Sequence, residues 1–300
     1  MYVVSGATGN TGRVVAEQLL AKGNKVRVIG RSADRLQALA GKGAEPFVAD
    51  LSDSAALTRA FTGANAVYAM IPPDLKSNDF PAEQGRASDA LARALQQAGV
   101  KHAVTLSSIG ADKSAGTGPV AGLHELEEKL NRIDGLNVLH LRAAYFMENT
   151  LAQAGIIKAI GKTAGPLRAD LKVPLISTHD IGVAAAGALL ALDFRGRQTR
   201  ELLGQRDLDY SEVTAIISKA INKPDLQYVQ LPDEQLRPAL QQMGMSANVA
   251  GLLLELSAAL NSGHIRALEP RSPANSTPTT YEKFVAEIFV PLYQGQSQAA

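Results

Sequence analysis

Hydrophobic positions along this chain follow a repeating pattern. Short β-branched runs alternate with amphipathic stretches of helical period. The runs are Val3-Val4, Lys25 to Ile29, Glu45 to Ala49, Ala64 to Ile71, Lys101 to Leu106 and Asn137 to Leu141. Their β-branched and aromatic content, and the Gly, Pro, Asp or Ser that closes most of them, mark them as strands. Between them apolar residues recur three and four apart: Val14, Val15, Leu19 and Leu20; Leu36 and Leu39; Leu57 and Phe61; and Leu123, Leu126, Leu130 and Ile133. Pro81 to Ala98 is a longer helical run closed by Gly99. Strand and helix alternate at intervals of about twenty residues, which predicts an α/β fold built on a doubly wound parallel sheet with right-handed crossovers.

Beyond Tyr145 the alternation stops. Helices are predicted over Asn149 to Ile160, Asp180 to Leu192, Ser211 to Ile221, Asp233 to Met243, Ala247 to Leu260 and Tyr281 to Phe289. Arg200 to Leu203 reads as a strand returning to the main sheet, and Leu226 to Leu231 as an isolated one. Glu269 to Thr279, with three prolines, reads as a loop, and Gln294 to Ala300 as disordered. The expected division is a sheet domain over 1–146, completed by a strand near 200–204, and a smaller, mostly helical lobe over 147–300 that forms a ligand cleft at the junction.

The first strand ends in Ser5-Gly6-Ala7-Thr8-Gly9-Asn10-Thr11-Gly12, with glycines spaced G-x-x-G-x-x-G. Strand, glycine turn and helix in this order suit a dinucleotide pyrophosphate. Gly6 allows the sharp turn, Gly9 lets backbone N–H groups approach the phosphates, and Gly12 lets helix and strand pack closely. The helix N-terminus then offers its unpaired N–H groups to the anion. Thr8, Asn10 and Thr11 belong to the same loop.

Composition removes other classes of function. With 30 basic and 29 acidic residues the net charge is +1, so there is no cationic field for nucleic acid. There is no cysteine, and the histidines lack metal-ligand spacing. No apolar run approaches the ~20 residues that cross a bilayer. The first strand begins at Tyr2, so no secretory signal is expected and the reading is cytoplasmic.

Arg31 lies nineteen residues after Gly12, at the end of the second strand, with no Asp or Glu between Val26 and Ala33. An acidic residue there would bind a ribose 2′-hydroxyl, whereas arginine accommodates a 2′-phosphate. NADP(H) is therefore expected over NAD(H), with Arg35 one turn further on. Asp50 and Leu51 end the third strand, either along the adenine edge or as a loop cap. Met70-Ile71-Pro72 and Ser107-Ser108 end the fourth and fifth strands and should flank the nicotinamide end, although the serines can equally close a turn. His124 and Glu128 share a helix face beside the leucine stripe. Spacing alone favours an exposed pair. The sharper reading places His124 on the cleft with Glu128 orienting it. Gly161-Lys162-Thr163 imitates the end of a P-loop, but position 156 is isoleucine where that loop needs glycine.

The glycine loop, Arg31, Asp50, His124 with Glu128, and Leu141-Arg142 followed by Tyr145 and Glu148-Asn149 together resemble the NmrA-like group of atypical short-chain dehydrogenases. The likeness covers residues 1 to about 150 and is looser beyond. It implies a Rossmann-type domain, NADP(H), Tyr145 among the cofactor-binding residues, and one of two roles. Some members reduce quinoid or conjugated dye acceptors. Others bind the dinucleotide without turnover and act as redox sensors through a protein partner. None of the seven tyrosines has a lysine four residues later, so the Tyr-x-x-x-Lys pair of conventional short-chain dehydrogenases is missing. A quinone-like acceptor tolerates that loss, because hydride transfer to it yields a delocalised anion.

Overall fold

The computed structural model describes residues 1–296. The first half is a series of β/α units: β1 (Tyr2–Val4), α1 (Asn10–Ala21), β2 (Val26–Gly30), α2 (Ala33–Ala40), β3 (Glu45–Val48), α3 (Ser54–Phe61), β4 (Ala66–Ala69), α4 (Phe80–Gln97), β5 (His102–Ser108), α5 (Ala121–Asn131) and β6 (Asn137–Ala143). The second half adds β7 (Tyr145–Phe146), α6 (Gln153–Ile160), β8 (Thr163–Gly165), β9 (Val173–Ile176), α7 (Thr178–Ala191), β10 (Arg197–Leu202), β11 (Asp207–Leu208), α8 (Tyr210–Ala220), β12 (Tyr228–Gln230), α9 (Asp233–Gln242), α10 (Ala247–Asn261), α11 (Tyr281–Phe284) and α12 (Val290–Tyr293).

Seven strands form one parallel sheet in the order β10-β6-β5-β4-β1-β2-β3. The order reverses between β1 and β4, and the crevice there opens at the carboxyl ends of the strands, where ligands of such sheets bind. Alternation of side chains along each strand splits the core in two. Val4, Val28, Tyr68, Val104 and Leu141 face α1, α2 and α7, and Val3, Ile29, Val67, Ala103 and Val138 face α3, α4 and α5. Val4, Val28, Val104 and Leu141 have no solvent contact, and each contributes about 1.5–3 kcal/mol by burial. The first cluster also contains Tyr210, Val213, Ile217, Tyr281 and Phe289, so the second half shares the core of the sheet. α7 lies against α1 at Gly182, where a Cβ would stand 2.6 Å from that of Val14.

Several local readings change in the structure. β10 begins at Arg197 and pairs over its whole length with Val138–Ala143. Leu226 to Leu231 is not isolated, because Tyr228–Gln230 pairs in parallel with Thr163–Gly165. The segment read as one helix from Asn149 starts as a 3-10 turn, Met147–Ala152, before α6. Gly110 to Gly122, whose small and polar composition reads as a flexible loop, is packed. A Cβ on Gly110 would lie 2.9 Å from Ile265, and Gly118 sits against the backbone of Leu252. The tail read as disordered closes a turn at residues 294–296, with the Gln296 N–H donating to the Pro291 carbonyl at 2.9 Å; residues 297–300 lie outside the described residues.

Candidate functional site

The glycine loop is fixed by its neighbours before any ligand is considered. Gly6 has φ +61°, and a Cβ there would overlap the Met70 sulfur; one on Gly12 would overlap the Gly6 carbonyl. Only glycine fits either place. Ser5 ties the loop to the end of β4, its hydroxyl donating to the Met70 carbonyl (3.1 Å) and accepting from the Met70 N–H (2.9 Å). The Tyr68 hydroxyl reaches Thr11 Oγ1 at 3.0 Å, which explains why Thr11 is buried. Gly9 precedes α1 with extended backbone and offers no side-chain acceptor to the first-turn N–H groups, and no acidic residue stands in that turn. A Cβ on Gly9 would meet only the Gly6 carbonyl, at 3.3 Å. The result is an open helix N-terminus that suits an anion.

A cleft of about 550 Å³ opens from this loop across β1–β4. It brings together Gly6, Thr8, Gly9, Arg31, Asp50, Leu51, Met70, Ile71 and Pro72, all foreseen from the sequence. Arg31 and Arg35 stand at one end, both exposed. Asp50 Oδ1 accepts from the Ser52 N–H (2.8 Å) and hydroxyl (2.7 Å). These bonds, followed by the charge of Arg31, hold its carboxyl below the usual range. Asp50 is therefore a loop cap and a cleft residue at once. The glycine cradle and the open helix end fit the pyrophosphate of a dinucleotide.

The far wall was not read from the sequence. It consists of Pro73, Asp74 and one face of α4: Phe80, Glu83, Gln84 and Ala87. Their spacing of three and four was visible, but nothing in it said that this face meets a ligand.

Other predicted residues lie outside that cleft. Asn10 is exposed, and Gly12 is buried under the loop. The Ser108 hydroxyl donates to the Ile109 carbonyl at 2.9 Å, closing a turn. Ser107 points to the opposite face of the sheet, where it donates to Glu127 Oε1 at 2.5 Å. Tyr145 belongs to β7, paired with β9. Its hydroxyl has Tyr210 and Asn149 as neighbours, and burial raises its pKa. His124 Nδ1 lies 2.9 Å from the Ala111 carbonyl. A carbonyl only accepts, so Nδ1 carries the proton and Nε2 is the free position of the neutral ring. Glu128 does not orient it. Its side chain is half exposed and lies 3.5 Å from Arg132, since i+4 on this helix turns it to solvent.

The carboxylate that does turn inward is Glu127, only 4% exposed. It accepts from Arg142 Nε (3.0 Å) and NH2 (2.5 Å) as well as from Ser107. By sequence Glu127 is one more charge beside Glu125, Glu128 and Lys129. The only sign in the sequence is its place at i+1 from Leu126 and three before Leu130, at the border of the stripe. Beside this trio His140 is buried, with Nδ1 2.8 Å from Thr105 Oγ1 and Nε2 3.1 Å from Asn131 Oδ1. Burial pushes its pKa down to about 4. Among the described residues no cluster of carboxylates and histidines could hold a metal, and no helix is long and apolar enough to cross a membrane.

The parallel seven-stranded order, the reversal at β1/β4 and the glycine loop at that reversal define a Rossmann-type α/β protein. The model of the NmrA-like family matches residues 2–284, and the chain belongs to that family. It is 31% identical over 240 residues to a (4-alkanoyl-5-oxo-2,5-dihydrofuran-3-yl)methyl phosphate reductase from Streptomyces griseus subsp. griseus, covering 80% of each chain. It is 28% identical over 258 residues to an NAD(P)H azoreductase from Xenophilus azovorans, covering 86% of each. In structure it resembles an NADPH-dependent quinone oxidoreductase from Escherichia coli, solved with NADPH, with a TM-score of 0.75 at 24% identity over 96% of this chain and 100% of that one. That last likeness bears on fold alone.

Proposed function

We propose that this protein is an NADPH-dependent reductase of a small conjugated acceptor, quinone-like or otherwise carrying a polarised double bond. The observation that carries the reading is one cleft lined by Gly6, Gly9 and Arg31 at the switch point of the sheet. Gly6, Thr8 and Gly9 with the first turn of α1 would hold the pyrophosphate. Arg31, helped by Ser32 and Arg35, would take the 2′-phosphate as a charge-assisted contact. Asp50 and Leu51 would border the adenine, and Met70, Ile71 and Pro72 would lead the cofactor toward Ser108 and Tyr145. When bound, the reduced nicotinamide supplies a hydride.

The acceptor class rests on two supports. The relatives' names describe an acylated unsaturated lactone phosphate and an azo compound. In both, a hydride can enter one end of a conjugated system while the other end takes up the charge. The second support is the missing Tyr-x-x-x-Lys pair, since such acceptors need positioning more than a dedicated acid. His124, fixed by Ala111 with Nε2 free, is the residue proposed to meet the acceptor.

The test is loss of NADPH absorbance against a panel of quinones, azo dyes and unsaturated lactones, with the protein saturated in cofactor. Turnover of at least one acceptor, with NADPH preferred to NADH, is the expected result. Tight NADPH binding with no acceptor reduced would replace the reductase by a dinucleotide sensor acting through a protein partner.

A further inference from the structure

Helix α10 touches both loops that border the carboxyl ends of β4 and β5, although it lies more than a hundred residues further along the chain. Its first residues hold the loop after β4. The Ser246 N–H donates to the Leu75 carbonyl at 3.0 Å, and the Ser246 hydroxyl donates to the Ser77 carbonyl at 2.5 Å. Asn248 Oδ1 accepts from the Phe80 N–H at 2.9 Å. Further along, the backbone at Leu252 and Leu256 lies against Gly118, and Ile265 beyond the helix packs on Gly110.

The Asn248 contact completes the start of α4. A helix leaves its first N–H groups without internal partners. Here Asp79 accepts from Ala82 (3.2 Å) and Pro81 has no N–H to satisfy. The remaining donor, Phe80, is taken by Asn248. Phe80, Glu83, Gln84 and Ala87 of this helix, with Pro73 and Asp74 before it, form the far wall of the cleft. That wall is thus pinned from the C-terminal half. Between Asp74 and Phe80 the chain is internally braced: Asp74 Oδ1 accepts from the Lys76 N–H (2.9 Å), and Ser77 Oγ accepts from the Asp79 N–H (3.2 Å). A braced segment held at its start and end shifts as a unit when its anchor is lost.

We propose that Ser246 and Asn248 are positioning residues for the cofactor: α10 straps down the 74–80 segment and so sets the width of the dinucleotide cleft. This rests on the reading of that cleft as the NADPH site. Neither residue lines the cleft, so each acts through the wall it holds. Releasing the wall makes binding bear the cost of re-ordering it.

The experiment compares wild type with Asn248→Ala, Ser246→Ala/Asn248→Ala and Asn248→Asp as full-length proteins. Hydrogen exchange of peptides covering 74–84 is measured without cofactor, and NADPH affinity by titration. Both alanine variants should speed exchange in that segment, with exchange in β1 and β5 unchanged. They should weaken NADPH roughly 3- to 10-fold, the size of one or two net hydrogen bonds. Asn248→Asp keeps an acceptor oxygen facing the positive end of α4 and should restore both readouts. In turnover the NADPH Michaelis constant should rise while kcat at saturation holds; a general loss of folding would lower kcat instead. Unchanged exchange at 74–84 in folded Asn248→Ala overturns the strap outright. Faster exchange with unchanged NADPH affinity overturns the positioning role. A wild type that exchanges as expected but does not bind NADPH, or a Gly9→Val protein that binds it normally, overturns the dinucleotide reading and the positioning role with it.

Discussion

Glu127 offers a quantitative test of the site's foundations. Its carboxylate is 4% exposed and its partner Arg142 is 14% exposed. Removing the carboxylate by Glu127→Ala leaves a guanidinium facing a cavity under the sheet and leaves the Ser107 hydroxyl without its acceptor. The pair itself adds little net stability, because desolvating two ions offsets their attraction; breaking one side costs about 3–5 kcal/mol. Arg142 keeps some solvent contact, and Asp112 and Glu201 bear on it by charge, so the lower end, about 3 kcal/mol, is expected. Glu127→Gln retains one acceptor and should cost about 1.5–3 kcal/mol. Replacing both partners by apolar residues, Glu127→Leu with Arg142→Met, should recover most of the loss. Urea unfolding of wild type and these three variants checks this. A Glu127→Ala protein within ~0.5 kcal/mol of wild type, a size usual for exposed positions, would refute the buried trio.

Three further outcomes follow. Arg31→Ala should weaken NADPH by about 1.5–3 kcal/mol through loss of a charged contact, and NADH much less; calorimetric titration with both cofactors decides, and equal losses would remove Arg31 from the 2′-phosphate site. Gly9→Val should fold, because the backbone there is extended and only the Gly6 carbonyl is near, yet lose NADPH; retained binding in the titration would move the phosphate elsewhere. His140 should make the fold acid-labile. Its folded pKa of about 4 lies below the unfolded value, so the unfolded chain takes the proton first, and stability present above pH ~6.5 is lost progressively toward pH ~4, to a total of about 3 kcal/mol. Urea midpoints against pH, compared with His140→Asn, measure this; identical pH profiles would show that His140 does not carry it.

The sheet was legible because parallel β/α units repeat one hydrophobic rhythm, and the glycine loop because three constraints fall on three glycines. The returning strand at 197–202 was legible over Arg200 to Leu202, whereas its first three residues are exposed at the sheet edge and carry no apolar signal. The strands β7, β8, β9 and β11 are two to four residues long, too short for alternation to declare itself. The two halves of the site differed for a related reason. Backbone-determined positions, Gly6 and Gly9 above all, can be read from local spacing. Glu127 and Glu128 cannot be told apart that way, because one step of about 100° on α5 moves a carboxylate from Arg142 under the sheet to Arg132 in solvent. The α4 wall and its α10 anchor depend on contacts between residues 168 apart, which no local pattern encodes.

That difference bears on the chemistry. On α5, Glu127 is committed to Arg142 and Ser107, and Glu128 faces solvent. On the proposed reading the group of that helix that meets an acceptor is His124. Its proton is on Nδ1 and given to Ala111, so the neutral ring presents a lone pair at Nε2 and donates there only when charged. A neutral His124 can orient an acceptor through a hydroxyl or N–H but cannot protonate it. A ketone, whose alkoxide must be protonated as it forms, would need the charged ring. The proposed conjugated acceptor, whose charge spreads and is later quenched by water, would not. His124→Ala should then raise the acceptor's Michaelis constant and leave kcat nearly unchanged. A fall in kcat of ~10²-fold or more, the size of a lost general acid, would mean that the charged imidazolium acts in turnover and would return simple carbonyl substrates to consideration.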